Sequence, residues 1–252
     1  MRYLYGAVAD IGIARRLQED YVMCKEYETQ NGSNLLSIIA DGSGTTDDRL
    51  QPAVLATNTF INSFESIKNE KPELFDSDPL YFIERAMKEA NNALGLLKIA
   101  NEELYNGYAT TMSVLYLTDD GSIYYAHAGN TRIYLMRNSQ LIKLTEDQTR
   151  AQQRLDEGED IDYYLSSDRL VLTNGLGMSA EPIIYSNKGK IKANDIFIMT
   201  SDGVHYAVRE EFIPRLVLEG INPENAAQNL VAGAKDTEYP DNISAIVIAE
   251  QK

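Results

Sequence analysis

Apolar and polar positions divide the chain into short strand-like runs interrupted by helical tracts. Residues 3–9 and 20–27 read as strands, joined by a polar, glycine-containing turn from Asp10 to Glu19. Thr29 to Asn34 carries a hairpin signal of the Asn-Gly kind, and a strand over 35–40 runs on into Asp41-Gly42-Ser43-Gly44. From Pro52 to Lys68, the positions Ala53, Ala56, Phe60, Ile61 and Phe64 recur close to helical spacing. Asp78-Pro79 has the form of an N-cap followed by a first-turn proline, and opens a helix to about Leu104.

Beyond Gly107 the pattern becomes β-rich. Thr110–Leu117, Ser122–Ala126, Thr131–Met136 and Gln140–Leu144 are separated by turns at Asp120-Gly121, Gly129-Asn130 and Asn138-Ser139, which predicts an antiparallel meander. Residues 147–170 are polar, acidic and weakly periodic, as in a mobile surface flap, and the acidic run 156–162 reads as a solvated face. Strands return at 182–192 and 195–200, helices follow at about 209–218 and 223–235, and a strand over 243–249 comes last. No internal repeat or interdomain linker is visible. Strands and helices in these alternating blocks predict an α+β fold with layered sheets.

Composition narrows the function. A chain of 252 residues that is 44% hydrophobic can bury a substantial core. Its net charge of −15, with no basic block, argues against nucleic-acid binding. One cysteine, Cys24, allows no internal disulfide and speaks against a structural zinc site or a Cys-His dyad, so the expected compartment is the cytosol. Neither a signal peptide nor an apolar run approaching the length of a membrane span is recognisable.

The candidate chemistry lies at strand ends. Ile196 to Gly203 reads as a buried strand that turns at Ser201-Asp202-Gly203, and Leu35 to Gly42 repeats that grammar around Asp41. Asp20 opens the run Tyr21 to Cys24, and Asp241-Asn242 introduces Ile243 to Ile248. Each aspartate taken singly is an ordinary turn residue. Four of them at strand termini predict one cluster of oxygen ligands around hard cations.

The ordered series is more specific than any member of it. Arg15 to Asp20, Ala40-Asp41-Gly42-Ser43-Gly44, Ala109 to Leu115, His127 to Leu135, Leu144 to Asp147, Leu172 to Gly177, Thr200-Ser201-Asp202-Gly203 and Asp241-Asn242-Ile243 resemble motifs of the metal-dependent serine/threonine protein phosphatases, the type 2C (PPM) family, in its bacterial form. The likeness runs through residues 1–252 as one domain. It implies a four-layer α/β/β/α sandwich, two antiparallel sheets flanked by helix pairs, with two Mn²⁺ or Mg²⁺ ions at one end. Carried over residue by residue, Asp41 bridges both ions and the Gly42 carbonyl binds one. Asp202 and Asp241 hold one ion, and Asp20 reaches the other through water, although Glu19 competes for that role and is otherwise an outer acceptor. Arg15, with Arg16 as the competing residue, binds phosphate.

Two divalent ions holding one bridging water would make a hydroxide nucleophile, and an arginine fork would orient the phosphoryl group. The resemblance therefore implies hydrolysis of phosphoserine and phosphothreonine in phosphorylated proteins, with a serine/threonine kinase or its targets as partner and no nucleic-acid or membrane role.

Several positions depart from the family. Asn130 stands where an aspartate serves a third, weaker metal site, so that site should be weakened; Asp147 is a candidate for the remaining carboxylate. Ser43-Gly44-Thr45-Thr46 replaces Met-Gly-Gly-His, Gln148 replaces a histidine and Tyr206 an acidic residue. These changes keep open a second reading, a weak or inactive phosphatase-like binding module. His205 is either a proton donor near the site or a structural residue, His127 reads as packed, and Tyr163 and Tyr164 are candidates to touch substrate.

Overall fold

The computed structural model describes residues 1–44 and 51–251. In chain order the elements are β1 (Tyr3–Asp10), β2 (Asp20–Thr29), β3 (Gly32–Ser43), α1 (Pro52–Glu70), α2 (Pro72–Ser77), α3 (Pro79–Ala100), α4 (Glu102–Tyr105), β4 (Ala109–Thr110), β5 (Met112–Leu117), β6 (Ser122–Ala128), β7 (Arg132–Arg137), β8 (Gln140–Lys143), α5 (Arg150–Asp156), β9 (Tyr185–Lys190), β10 (Ile196–Thr200), α6 (Asp202–His205), α7 (Ile213–Leu218), α8 (Pro223–Lys235) and β11 (Ile243–Glu250). The strands form two antiparallel sheets, ordered β1-β11-β10-β7-β8 and β2-β3-β5-β6-β9, with β4 paired to the end of β3.

Period-two alternation along the central strands builds the layers. In β3, Leu36 and Ile38 face outward and pack with Phe60, Phe64 and Ala56 of α1 and Ile83, Met87 and Leu94 of α3. Their neighbours Leu35 and Ile39 face inward, against Phe197 and Met199 of β10 and Ile246 and Ile248 of β11. The second sheet repeats the pattern: Tyr134, Ile198, Ala245 and Val247 meet Val217 of α7 and Leu230 and Ala234 of α8. Helix pair, sheet, sheet, helix pair is the expected α+β sandwich. Asp78 caps α3 by accepting from the Tyr81 amide, and Asn222 caps α8 by accepting from the Asn225 amide, as their sequence signals require.

Several local expectations are corrected. The first hairpin turns at Gln30-Asn31, because Gly32 already pairs with Thr29; at Gly32 a Cβ would fall 1.9 Å from the Met1 carbonyl oxygen. The long helix ends at Ala100, where the Asn101 side chain starts the separate α4, and α2 has no counterpart in the sequence reading. The meander is split: β5-β6 lies in one sheet and β7-β8 in the other. The connector Gly129-Asn130-Thr131 is buried, so it crosses the sandwich; a hairpin turn would be exposed. Ser113 Oγ holds it by donating to the Thr131 carbonyl at 2.9 Å.

The register brings one set of strand ends together. Asp10 pairs with Ile243, Thr200 with Ala245 and Asp20 with Asp41. No helix among the described residues is long and apolar enough to cross a membrane.

Candidate functional site

Asp20 and Asp41 are cross-strand partners in the β2–β3 hairpin. The backbone of Asp41 is fixed from the far side: its amide donates to Thr111 Oγ1 at 3.0 Å, and its carbonyl accepts from the Thr111 amide at 2.9 Å and Thr110 Oγ1 at 3.0 Å. The Gly42 amide donates to the Glu19 carbonyl at 3.1 Å. A Cβ at Gly42 would lie 2.9 Å from that carbonyl oxygen, so β3 approaches the Glu19 loop closely only because the residue is glycine.

The second sheet contributes Asp202. It is the first residue of the helical turn α6, a tighter structure than the simple strand-end turn the sequence suggests. Gly203 lets this turn abut the start of β11, for a Cβ there would fall 1.8 Å from the Asn242 carbonyl oxygen. Ser201 ties the sheets together: its Oγ donates to Asp20 Oδ2 at 2.7 Å and accepts from the Ser244 amide at 3.0 Å. Asn130 Nδ2 lies 3.3 Å from Asp202 Oδ2, and Asn130 Oδ1 is buried without a hydrogen-bond partner among the described residues.

Asp241, just before β11, accepts from Arg15 Nη2 at 2.8 Å and from the Asn242 amide at 2.9 Å. Asn242 organises the loop that carries Arg15. Its Oδ1 accepts from the Glu19 amide at 2.8 Å, while its Nδ2 donates to the Ile11 and Leu17 carbonyls at 2.9 and 3.0 Å. Arg15, Glu19, Asp41, Gly42, Asn130, Asp202 and Asp241 all line one cavity of about 340 Å³. Asp20 is buried at 3% exposure behind this lining.

The electrostatics are those of crowded like charges. Burial, then the Asp202, Asp20 and Asp241 carboxylates, hold the Asp41 carboxyl well above the usual range. Burial and Asp241 likewise raise Asp202, and burial raises Asp20 against the hydrogen bond from Ser201. Among the described residues, no three His, Cys, Asp or Glu side chains are grouped closely enough to cage an ion. Asp20, Asp202 and Asp241 are instead engaged by Ser201, Asn130 and Arg15 respectively.

Two candidates lie elsewhere. Asp147 is paired with Arg132: Oδ1 accepts from Nε at 2.8 Å, Oδ2 accepts from Nη2 at 2.6 Å and also from the Tyr163 hydroxyl. It is thus a structural counter-ion rather than a remaining carboxylate of the cavity. His205 is fully buried, with Nδ1 2.9 Å from Thr200 Oγ1, and burial holds it well below its ordinary pKa, which does not suit a proton donor. His127 is packed as expected. Tyr163 faces the Arg132 pair, Gln148 Oε1 accepts from the Gly129 amide at 2.6 Å, and the Tyr206 hydroxyl donates to the Arg169 carbonyl at 2.8 Å. Thr45 and Thr46 lie outside the described residues.

Sequence reasoning missed Ser201 and Asn242 as side chains that hold the site, although each adjoins a candidate aspartate. It also missed Leu170, Leu172, Tyr239 and Pro240 in the cavity lining, for which no local pattern exists.

No protein-family model matches the chain. Over 249 residues, 96% of its length, it is 27% identical to the serine/threonine protein phosphatase PstP of Mycobacterium tuberculosis, and over 250 residues it is 24% identical to the protein phosphatase PhpP of Streptococcus pneumoniae. The chain spans 44% of the length of the mycobacterial relative and 95% of the pneumococcal one. The solved mycobacterial PstP structure superposes over 99% of both chains with a TM-score of 0.81. The PstP catalytic domain in complex with two manganese ions superposes over 98% of this chain with a TM-score of 0.76 at 25% identity. This chain is a relative of the bacterial-type PPM phosphatases. The PPM likeness extends through both sheets and both helix layers, and so includes every strand end that carries a candidate aspartate.

Proposed function

We propose that the protein is a Mn²⁺- or Mg²⁺-dependent phosphatase that hydrolyses phosphoserine and phosphothreonine in proteins. One observation carries the reading: Asp20, Asp41, Asp202 and Asp241 gather at one end of the sandwich, beside a cavity with Arg15 in its lining. Buried carboxylates that raise one another's pKa are costly, and divalent cations would offset that cost. The donors suit such ions, being all oxygen, and Asn130 adds a neutral amide to the same lining.

In this reading Asp41, Asp202, Asp241 and the Gly42 carbonyl would hold two ions, Asp20 would reach one through water and Glu19 would act as an outer acceptor. The chemistry that divalent cations held by these residues would supply is activation of a water as nucleophile near neutral pH. Arg15 is half-exposed in the cavity lining, where its planar fork can orient a phosphoryl group. Its link to Asp241 couples phosphate orientation to the ion-holding carboxylates. Cys24 is not needed as nucleophile; burial pushes its thiol up to about 12. A kinase whose products the enzyme removes is the partner this activity implies, and the lone cysteine supports a reducing, cytosolic setting.

The test is Mn²⁺ calorimetry and phosphopeptide hydrolysis on one purified sample, with Asp41→Asn and Asp202→Asn alongside. Turnover should require the metal and fall by roughly a hundredfold or more in each variant. Full turnover by both variants, or an absence of metal binding, would overturn the assignment.

A further inference from the structure

The cavity lining has a second chemical character. Beside Arg15 and the carboxylates, Leu170, Leu172, Tyr239 and Pro240 line the same space. Leu170 is 54% exposed, and Leu172 and Tyr239 are half-buried, so these groups are presented to the cavity mouth rather than sunk in the core. Tyr239 and Pro240 immediately precede Asp241, whose amide donates to the Tyr239 carbonyl at 3.0 Å. The apolar groups are therefore in covalent and hydrogen-bonded continuity with the ionic ones.

Both leucines are held in place. The Arg169 carbonyl, next to Leu170, accepts from the Tyr206 hydroxyl at 2.8 Å, and the Arg169 guanidinium lies 4.8 Å from the Tyr206 ring centre. Tyr206 is itself fixed, its hydroxyl 3.1 Å from that of Tyr163 and its ring edge-on to Tyr239 with centres 6.5 Å apart. Leu172 forms an antiparallel bridge with Thr149, flanked by the Arg150 amide on the Val171 carbonyl at 2.8 Å and the Thr173 amide on the Gln148 carbonyl at 2.9 Å. Apolar side chains on a fixed backbone can bury an apolar group of a ligand and discriminate for it by about tenfold or more, while the neighbouring polar groups fix its orientation.

We propose that Leu170, Leu172 and Tyr239 form an apolar subsite that receives the side chain next to the phosphorylated residue, giving the enzyme a preference for phosphopeptides with an apolar neighbour. The proposal rests on the phosphatase reading and adds its substrate class. Tyr206 is a positioning residue, acting on substrate through the Arg169 carbonyl and Leu170.

Three phosphothreonine peptides that differ only in the residue after phosphothreonine (Leu, Ser or Asp) test it in Mn²⁺ buffer. The Leu peptide should exceed the Ser peptide in kcat/KM by about tenfold, the scale on which an apolar pocket discriminates. Leu170→Ser, at an exposed position, should collapse that ratio mainly through a higher KM for the Leu peptide. Tyr206→Phe should erode the same ratio while keeping the ring. Equal kcat/KM for the Leu and Ser peptides, or a ratio unmoved by Leu170→Ser, would overturn the subsite alone. If no peptide is turned over by the metal-loaded protein, the phosphatase reading itself fails and the subsite falls with it.

Discussion

Asp20 stands directly opposite Asp41 in the β2–β3 ladder, two carboxylates in a position that ordinarily favours opposite charges or apolar pairs. Catalytic need, in the proposed reading, outweighs stability here. Asp41→Asn should therefore stabilise the protein in chelator by about 1–2 kcal/mol, the scale of one unit of pKa perturbation, while removing turnover in Mn²⁺. Thermal melts with and without chelator decide the matter; a variant less stable than the parent in chelator would contradict it.

The same carboxylates set a pH dependence. Asp20, Asp41 and Asp202 are raised in the folded state by burial and by one another. Their contribution to stability is present below the ordinary carboxylate range and is lost as pH rises through their raised values. Chelated protein should thus lose stability as pH rises from about 4 through about 6 for Asp20 and about 7 for Asp202, and saturating Mn²⁺ should flatten or reverse the slope by binding the folded state. Denaturant midpoints across that range, in both buffers, provide the check.

Arg132 and Asp147 behave oppositely. Burial would raise Asp147, but the Arg132 hydrogen bonds and charge prevail and bring it down to about 2. Stability from this pair is present above the ordinary carboxylate value and is lost as pH falls towards 2, outside the window just described. Both side chains are essentially inaccessible, so Asp147→Ala leaves a buried cation that keeps, among the described residues, Glu210, tyrosine hydroxyls and the Tyr163 and Tyr206 rings as partners. A loss of about 3–5 kcal/mol in urea unfolding is expected. A loss below about 1 kcal/mol would mean that the pair is not the anchor of its segment.

Gly203 should tolerate no side chain. The obstacle to a Cβ is the Asn242 carbonyl oxygen at 1.8 Å, a backbone atom immediately before β11, a strand that is paired on both sides. Gly203→Ala should cost several kcal/mol or prevent folding, in the range of severe overpacking. Native-like expression and an unchanged melting temperature would show that α6 can withdraw from β11.

Much of this was legible in the sequence because the relevant signals are local. Short, nearly continuous apolar runs gave the strands around Leu35–Ile39 and Ile196–Thr200, and Asp78-Pro79 and Asn222-Pro223 gave two helix starts. The ordered motifs named the aspartates and Arg15 that share the cavity lining. What failed depended on long-range packing. The buried connector at Gly129–Thr131 looked like a hairpin turn, and only the position of β7 in the opposite sheet shows that it crosses the sandwich. Asp147 looked available until Arg132, 15 residues earlier, occupied both its oxygens. Leu170 and Tyr239 have no periodic signature, because their shared cavity is made by segments almost seventy residues apart.

Asn242 provides the most discriminating mutation. Its side chain uses one acceptor and two donors on the backbone of residues 11–19, at Glu19, Ile11 and Leu17, and no described side chain duplicates these contacts. Gly12 in the same loop packs so closely that a Cβ would fall 2.0 Å from the Asp241 carbonyl oxygen, so the loop is seated against the residue that also receives Arg15. Asn242→Ala leaves two carbonyls and one amide to find water, at about 1–3 kcal/mol for a group that stays buried. Asn242→Asp keeps the acceptor but turns the donors into a charge facing two carbonyls, and should be at least as damaging. If the loop positions Arg15, Asn242→Ala should raise KM for a phosphopeptide by about tenfold with a smaller change in kcat, the pattern of lost binding. Amide exchange should accelerate across residues 11–19 and leave the β3–β5 ladder protected. Combined with Arg15→Ala, it should add little further to KM, because both changes remove the same contact. Additive losses in the double variant would show that Asn242 supports the fold independently of Arg15.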